Sequence, residues 1–401
     1  MRVRDARLRP FTSVFLIAGV RQEVLDALPR TLSALLTSED GMPLRRVPPP
    51  SARAGRIITV DTARAASDRA LLELDSALDD GALMESVHAA GFDGVPIRLG
   101  RADDRLVLAV WHAVADGTAA LAVLRVLLGA PIESAREARR PLTRALLTAR
   151  PLPFGAALAF RRAAAVPPVV AAGGAHVRTS TSMVLTRANL ETLRRSGTTG
   201  RATANTRAAS AVVAALRVAQ YDETDLRVSV PVDLRHRVPD GPVSGNFFFA
   251  AQLGGLRSRS WEPQALARDL AVVRGPIGPV LLALSVLSHL VRRGRTGAPE
   301  DRVQISMIES DPPLPATAFT APDAIRLAVG TRGPLPDPVF VVLWSHARSV
   351  HLSIEETSGR IDVGRFAAAV RAAVEEHGTS ARSPVDDGTR PGQSHAEPEQ
   401  H

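Results

Sequence analysis

The sequence has 401 residues and contains no cysteine. That excludes disulfides, thiolate metal sites and cysteine nucleophiles, and it suits a reducing compartment, so a cytoplasmic location is expected. Lysine is absent too: all 49 basic residues are arginine. A Walker A phosphate loop and a pyridoxal phosphate Schiff base each need a lysine, so both classes are excluded. Aromatic residues make up only 4% of the chain, which leaves few platforms for stacking bases. The formal net charge of +8 comes from scattered arginines, so no nucleic-acid partner is expected. A phosphorylated group or an anionic membrane surface would suit the same charge.

Long apolar runs are also scarce. The most apolar later stretch, PVLLALSVLSHLV (279–291), falls short of the ~20 residues that a membrane span needs. It is expected to be a buried or interfacial helix, which leaves peripheral membrane contact open. Near the start, basic residues followed by FTSVFLIAGV have the look of a secretory signal. There is no small-x-small cleavage site, and Arg21 follows at once. A first strand over 12–20 is favoured.

Periodicity predicts a layered α/β or α+β fold. A helix over 22–37 is followed by a proline-rich break at 41–55, a strand at 56–60 and a helix over 66–78. The stretch 95–112 reads as two strands around the polar turn GRADD, and a helix over 118–128 comes next. Residues 130–178 are poor in strand signals and read as a crossover. Beyond them, strands are expected at 181–186, 225–235, 245–253, 302–310, 324–330 and 338–357. Helices are expected at 187–196, 204–220, 263–274, 279–292 and 362–377. The expected domains are an N-terminal lobe at 1–140, a crossover at 141–178, a C-terminal lobe at 179–377 and a disordered tail at 378–401.

The chemistry concentrates in WHAVADG, Trp111–Gly117. RLVLAVWH is nearly all apolar and predicts a buried strand, so His112 stands at the strand's end, where the chain turns into a helix. Such strand ends are where α/β folds present catalytic groups. An imidazole there can take a proton from a hydroxyl or amine and return it to a leaving group. Asp116 either braces the turn through an arginine or caps the following helix. Gly117, without a Cβ, allows close approach. No GxSxG elbow occurs, so a serine hydrolase has no direct support.

HAVADG resembles the second half of the HHxxxDG signature of an acyltransferase superfamily. That group includes chloramphenicol acetyltransferase, peptide-synthetase condensation domains, polyketide-associated acyltransferases, alcohol acetyltransferases and wax ester synthases. VSVPVDLR followed by GPVSGN resembles a second distinctive stretch, and the likeness extends over roughly residues 10–377. The resemblance implies two chloramphenicol-acetyltransferase-like lobes forming a V-shaped pseudo-dimer around an inter-lobe tunnel. It implies acyl transfer from acyl-CoA or a phosphopantetheinyl carrier protein to a small-molecule or lipid acceptor, with His112 as general base. It implies a structural role for Asp116, with Arg235 as candidate ion-pair partner unless that arginine is an ordinary surface residue. Asn246 would contact the tunnel or simply form a turn, and Trp111 and Ser306 are further lining candidates. No metal and no permanently bound cofactor are expected, and the chain is expected to act as a monomer.

Two residues depart from the pattern. Trp111 stands where the signature has its first histidine, and Met307 where many members have asparagine after serine. A catalytically degenerate scaffold of the same fold is therefore the alternative. His346 and His351, five residues apart, suit neither one strand face nor a helical metal pair.

Overall fold

A computed structural model describes residues 12–38, 42–47, 56–131 (except 93, 95 and 113), 179–185, 204–218, 227–233, 248–255, 262–275, 302–310, 313–321, 325–332, 339–346, 349–356 and 362–379. In chain order, the first part holds β1 (Thr12–Ala18), α1 (Gln22–Thr37), β2 (Arg46–Val47), β3 (Arg56–Ile57), α2 (Val60–Ala70), β4 (Leu71–Glu73), α3 (Asp80–Ala89), β5 (Ile97–Ala102), β6 (Arg105–Trp111) and α4 (Gly117–Leu127). The second part holds β7 (Thr179–Leu185), α5 (Ala204–Val218), β8 (Arg227–Asp233), β9 (Phe248–Gly255), α6 (Pro263–Arg274), β10 (Arg302–Glu309), β11 (Arg326–Arg332), β12 (Val339–His346), β13 (Ser349–Glu356) and α7 (Val363–Thr379).

The strands form two large sheets, ordered β11-β1-β6-β5-β4 and β7-β13-β12-β10-β8-β9. All seven residues of β1 are buried, as a near-continuous apolar run requires of a strand covered on both faces. β5 and β6 form the expected hairpin around Asp103, whose φ of 48° suits a tight two-residue turn.

Two expectations need correction. The strand expected at 56–60 is only Arg56–Ile57, because the Thr59 hydroxyl accepts the Thr62 N–H at 3.2 Å and starts a helix at Val60. The helix expected over 66–78 ends at Ala70, where Leu71–Glu73 becomes an edge strand parallel to β5. The exposed Glu73 carboxylate there meets Arg101 at 2.7 Å. A helix that the pattern did not suggest, α3, is capped by Asp79, which accepts the Ala82 N–H at 2.8 Å. The crossover 141–178, the helices expected at 187–196 and 279–292, and the tail from 380 lie outside the described residues.

The second sheet separates its two faces by residue parity. Val228, Val230, Val232, Val303, Ile305, Val341, Leu343, Leu352 and Ile354 share a core with α5, α6 and α7. The alternate residues Ile308, Val342 and Trp344 instead join the core of the first sheet with Phe15, Leu108 and Leu124. Phe15 and Trp344 meet edge to face at 5.9 Å, an arrangement that adds to their burial. The lobes therefore share a core. β11 lies late in the sequence, yet it pairs antiparallel with β1 in the first sheet.

Candidate active site

The motif lies where the two lobes meet. Trp111 ends β6, is 8% exposed and pairs with Thr12 of β1. Its N–H donates to the Pro96 carbonyl at 3.0 Å, and its own carbonyl accepts the Val114 N–H at 2.9 Å, closing the turn. His112, half-buried, is the first residue of that turn. Asp116 is buried, and its Oδ1 accepts the Ala119 N–H at 3.1 Å, capping α4. One buried carboxylate thus satisfies an orphan amide at the positive end of the helix that follows the motif. Arg235 and Asn246 lie outside the described residues.

The second lobe reaches the motif through residues that the sequence did not single out. A Cβ on Gly117 would lie 3.2 Å from Ile308 Cδ1 of β10. The Thr118 hydroxyl donates to Asp233 Oδ2 of β8 at 3.1 Å. Ser306 is half-buried and, by alternation, shares the lobe-facing side of β10 with Ile308. Met307 points the other way and packs against the helices of the second lobe. A polar side chain at 307 would face that core, not the junction.

A second junction runs along β11. Three alternate residues of β13 accept the outward N–H groups of this edge strand: His351 Nδ1 from Leu327 (3.3 Å), Ser353 Oγ from Val329 (3.0 Å) and Glu355 Oε2 from Thr331 (2.8 Å). All six residues are buried. An open strand edge invites unwanted pairing; here side chains cover it. Glu355 Oε1 also accepts from Arg332 Nη1 at 2.5 Å, and Arg332 Nε lies 2.8 Å from Glu85 Oε2 on α3.

His346 and His351 require a correction, because five residues here span a hairpin and not one strand. Trp344 pairs with His351 and His346 with Ser349, which puts both imidazoles on one face. Burial, and then the neighbouring His346, lower the His351 pKa to about 4. The neutral ring accepts at Nδ1, so its Nε2–H donates to Ser349 Oγ at 3.0 Å. Burial lowers the pKa of His346 too. Among the described residues no cluster of three or more metal-ligating side chains forms, and no helix is long and apolar enough to cross a membrane.

The chain matches no family model and no curated protein sequence. Solved structures do match in fold. Polyketide synthase associated protein 5 from Mycobacterium tuberculosis is 15% identical with a TM-score of 0.57, covering 92% of this chain and 95% of its own. The condensation domain of the monacolin K polyketide synthase is 13% identical at 0.59, covering 94% and 93%. Trichothecene 15-O-acetyltransferase from Fusarium sporotrichioides is 11% identical at 0.60, covering 92% of each chain. Two mixed sheets, a shared core and full-length coverage lead to one conclusion: this chain adopts the two-lobed fold that condensation domains share with polyketide-associated proteins and O-acetyltransferases.

Proposed function

We propose that the chain is an acyltransferase that moves an acyl group from a thioester of CoA or a carrier protein to a hydroxyl or amine. The observation that carries this is the position of His112: a half-buried imidazole at a strand end, in a turn held between the two lobes, on a fold shared with an O-acetyltransferase. In the reaction His112 takes the proton of the acceptor O–H or N–H as that atom attacks the thioester carbonyl carbon. The tetrahedral intermediate then collapses, the C–S bond breaks, and the imidazolium returns its proton to the departing thiolate. The products are an ester or amide and a free thiol. Asp116 fixes the turn by capping α4, and Arg235 is its proposed ionic partner. Ser306 and Asn246 are proposed to line the acceptor side, and Trp111 to wall the site beneath His112.

General base catalysis contributes about 10²- to 10⁴-fold. His112→Ala is expected to lower kcat by that factor in thiol-release assays across acyl-CoA and acyl-carrier donors, with the melting temperature unchanged. Undiminished turnover would remove His112 as the base. Trp111, in place of the signature's first histidine, favours a second reading as a binding scaffold. That reading predicts no turnover from wild type and equal thioester binding by wild type and His112→Ala.

A further inference from the structure

Besides the shared core, hydrogen bonds among the described residues join the lobes at two places of unequal kind. The β11–β13 junction is buried, and parting it would strand the Leu327, Val329 and Thr331 N–H groups and the Arg332–Glu355 pair. Beside the motif, Thr118 is exposed and its hydroxyl reaches across to Asp233. Asp116 already caps α4, so helix formation does not call for a hydroxyl at 118. On β8, alternation turns Val228, Val230 and Val232 into the second-lobe core and leaves Asp233, at the strand's end, facing α4. Aspartate is a poor strand former, so packing within the sheet does not call for it either. Gly117, one residue before Thr118, lets the same helix end come close to Ile308.

We propose that Thr118 and Asp233 form a clasp through which the second lobe holds the turn carrying His112. The clasp is the joint that yields when the lobes part to admit a ligand, while the β11–β13 junction stays closed. Both partners exchange their bond for water at little loss when it opens, which the buried N–H groups of β11 cannot do. Thr118 and Asp233 are positioning residues: they act on the reaction through α4 and the turn before it. The kinetic consequence rests on His112 being the base, whereas the structural consequence does not.

The absence of cysteine makes the test clean. Spin labels on Ala122→Cys of α4 and Arg268→Cys of α6, both exposed, report the separation between the lobes. Thr118→Val and Asp233→Ala are each expected to broaden the distance distribution towards longer values, and Thr118→Ser to restore the wild-type distribution. In acyl transfer, Thr118→Val is expected to lower kcat/KM about fivefold, and the double variant to lose no more than Asp233→Ala alone, because either change removes the Thr118–Asp233 bond. Unfolding midpoints should stay near wild type, since the bond itself is exposed to solvent. Asp233→Asn keeps an acceptor oxygen and guards against a misfolded Asp233→Ala. Distributions that overlay on wild type, or a double loss equal to the product of the single losses, would overturn the clasp. If wild type shows no acyl transfer, the activity assignment fails while the distances still decide the clasp.

Discussion

At the scale of the residue, two glycines do different work. A Cβ on Gly330 would lie 2.3 Å from Glu355 Oε1 and 2.8 Å from Arg332 Nη1, both parts of a buried ion pair. Gly330→Ala must displace that pair, at a cost of about 3 kcal/mol. On Gly117 the nearest atom would be the flexible tip of Ile308, at 3.2 Å. Gly117→Ala gains helix propensity in return, so its net effect is under about 1 kcal/mol. Urea unfolding of the two variants is expected to show this order. Equal stabilities would contradict the packing around Glu355. A close approach at Gly117 is expected from its place beside His112 and Asp116 in the sequence. None is expected at Gly330, because the nearest crowding atom belongs to Glu355, 25 positions later.

At the scale of the element, β13 reads S-V-H-L-S-I-E-E, and polar and apolar residues alternate as far as Glu355. Alternation ordinarily marks a strand with one face in water. Here the polar face is buried against β11, and hydrogen bonding to backbone N–H groups replaces hydration. The consequence is a pH dependence. With a folded pKa of about 4 and an ordinary value of 6.5, His351 binds a proton in the unfolded chain before it does in the folded one. Stability is therefore complete above pH 6.5 and falls as pH drops towards 4, by about 3 kcal/mol over that window. His351→Asn places an oxygen near the position of Nδ1 and does not titrate. Its denaturation midpoint should fall less between pH 6.5 and 4 than that of wild type. The remaining slope belongs to His346 and the carboxylates. Strong runs such as β1, β6 and α1 were legible because their apolar spacing is regular. The helix α3 was not, for its buried residues are only Leu83, Met84 and Val87 and its start depends on the Asp79 cap.

At the scale of the whole molecule, the lobes share one core, and side chains from one sheet cover the edge of the other. Wild type is expected to unfold in one calorimetric transition. Ser353→Ala strands the Val329 N–H at about 1–3 kcal/mol. Glu355→Ala also leaves Arg332 without its buried partner, at about 3–5 kcal/mol. Combining the two is expected to split the transition in two, and a single sharp transition in the double variant would refute this coupling. The sequence by itself determined the strands and helices with regular periodicity, the excluded chemistries that follow from missing cysteine and lysine, and a histidine at a strand end before a helix. These are local matters of residue type and spacing. Only the tertiary structure decided that β11 joins the first sheet, that His346 and His351 share a face, and that Thr118 meets Asp233. Those contacts join residues far apart in the chain or folded back across a turn, and backbone pairing and core burial across the lobes select them.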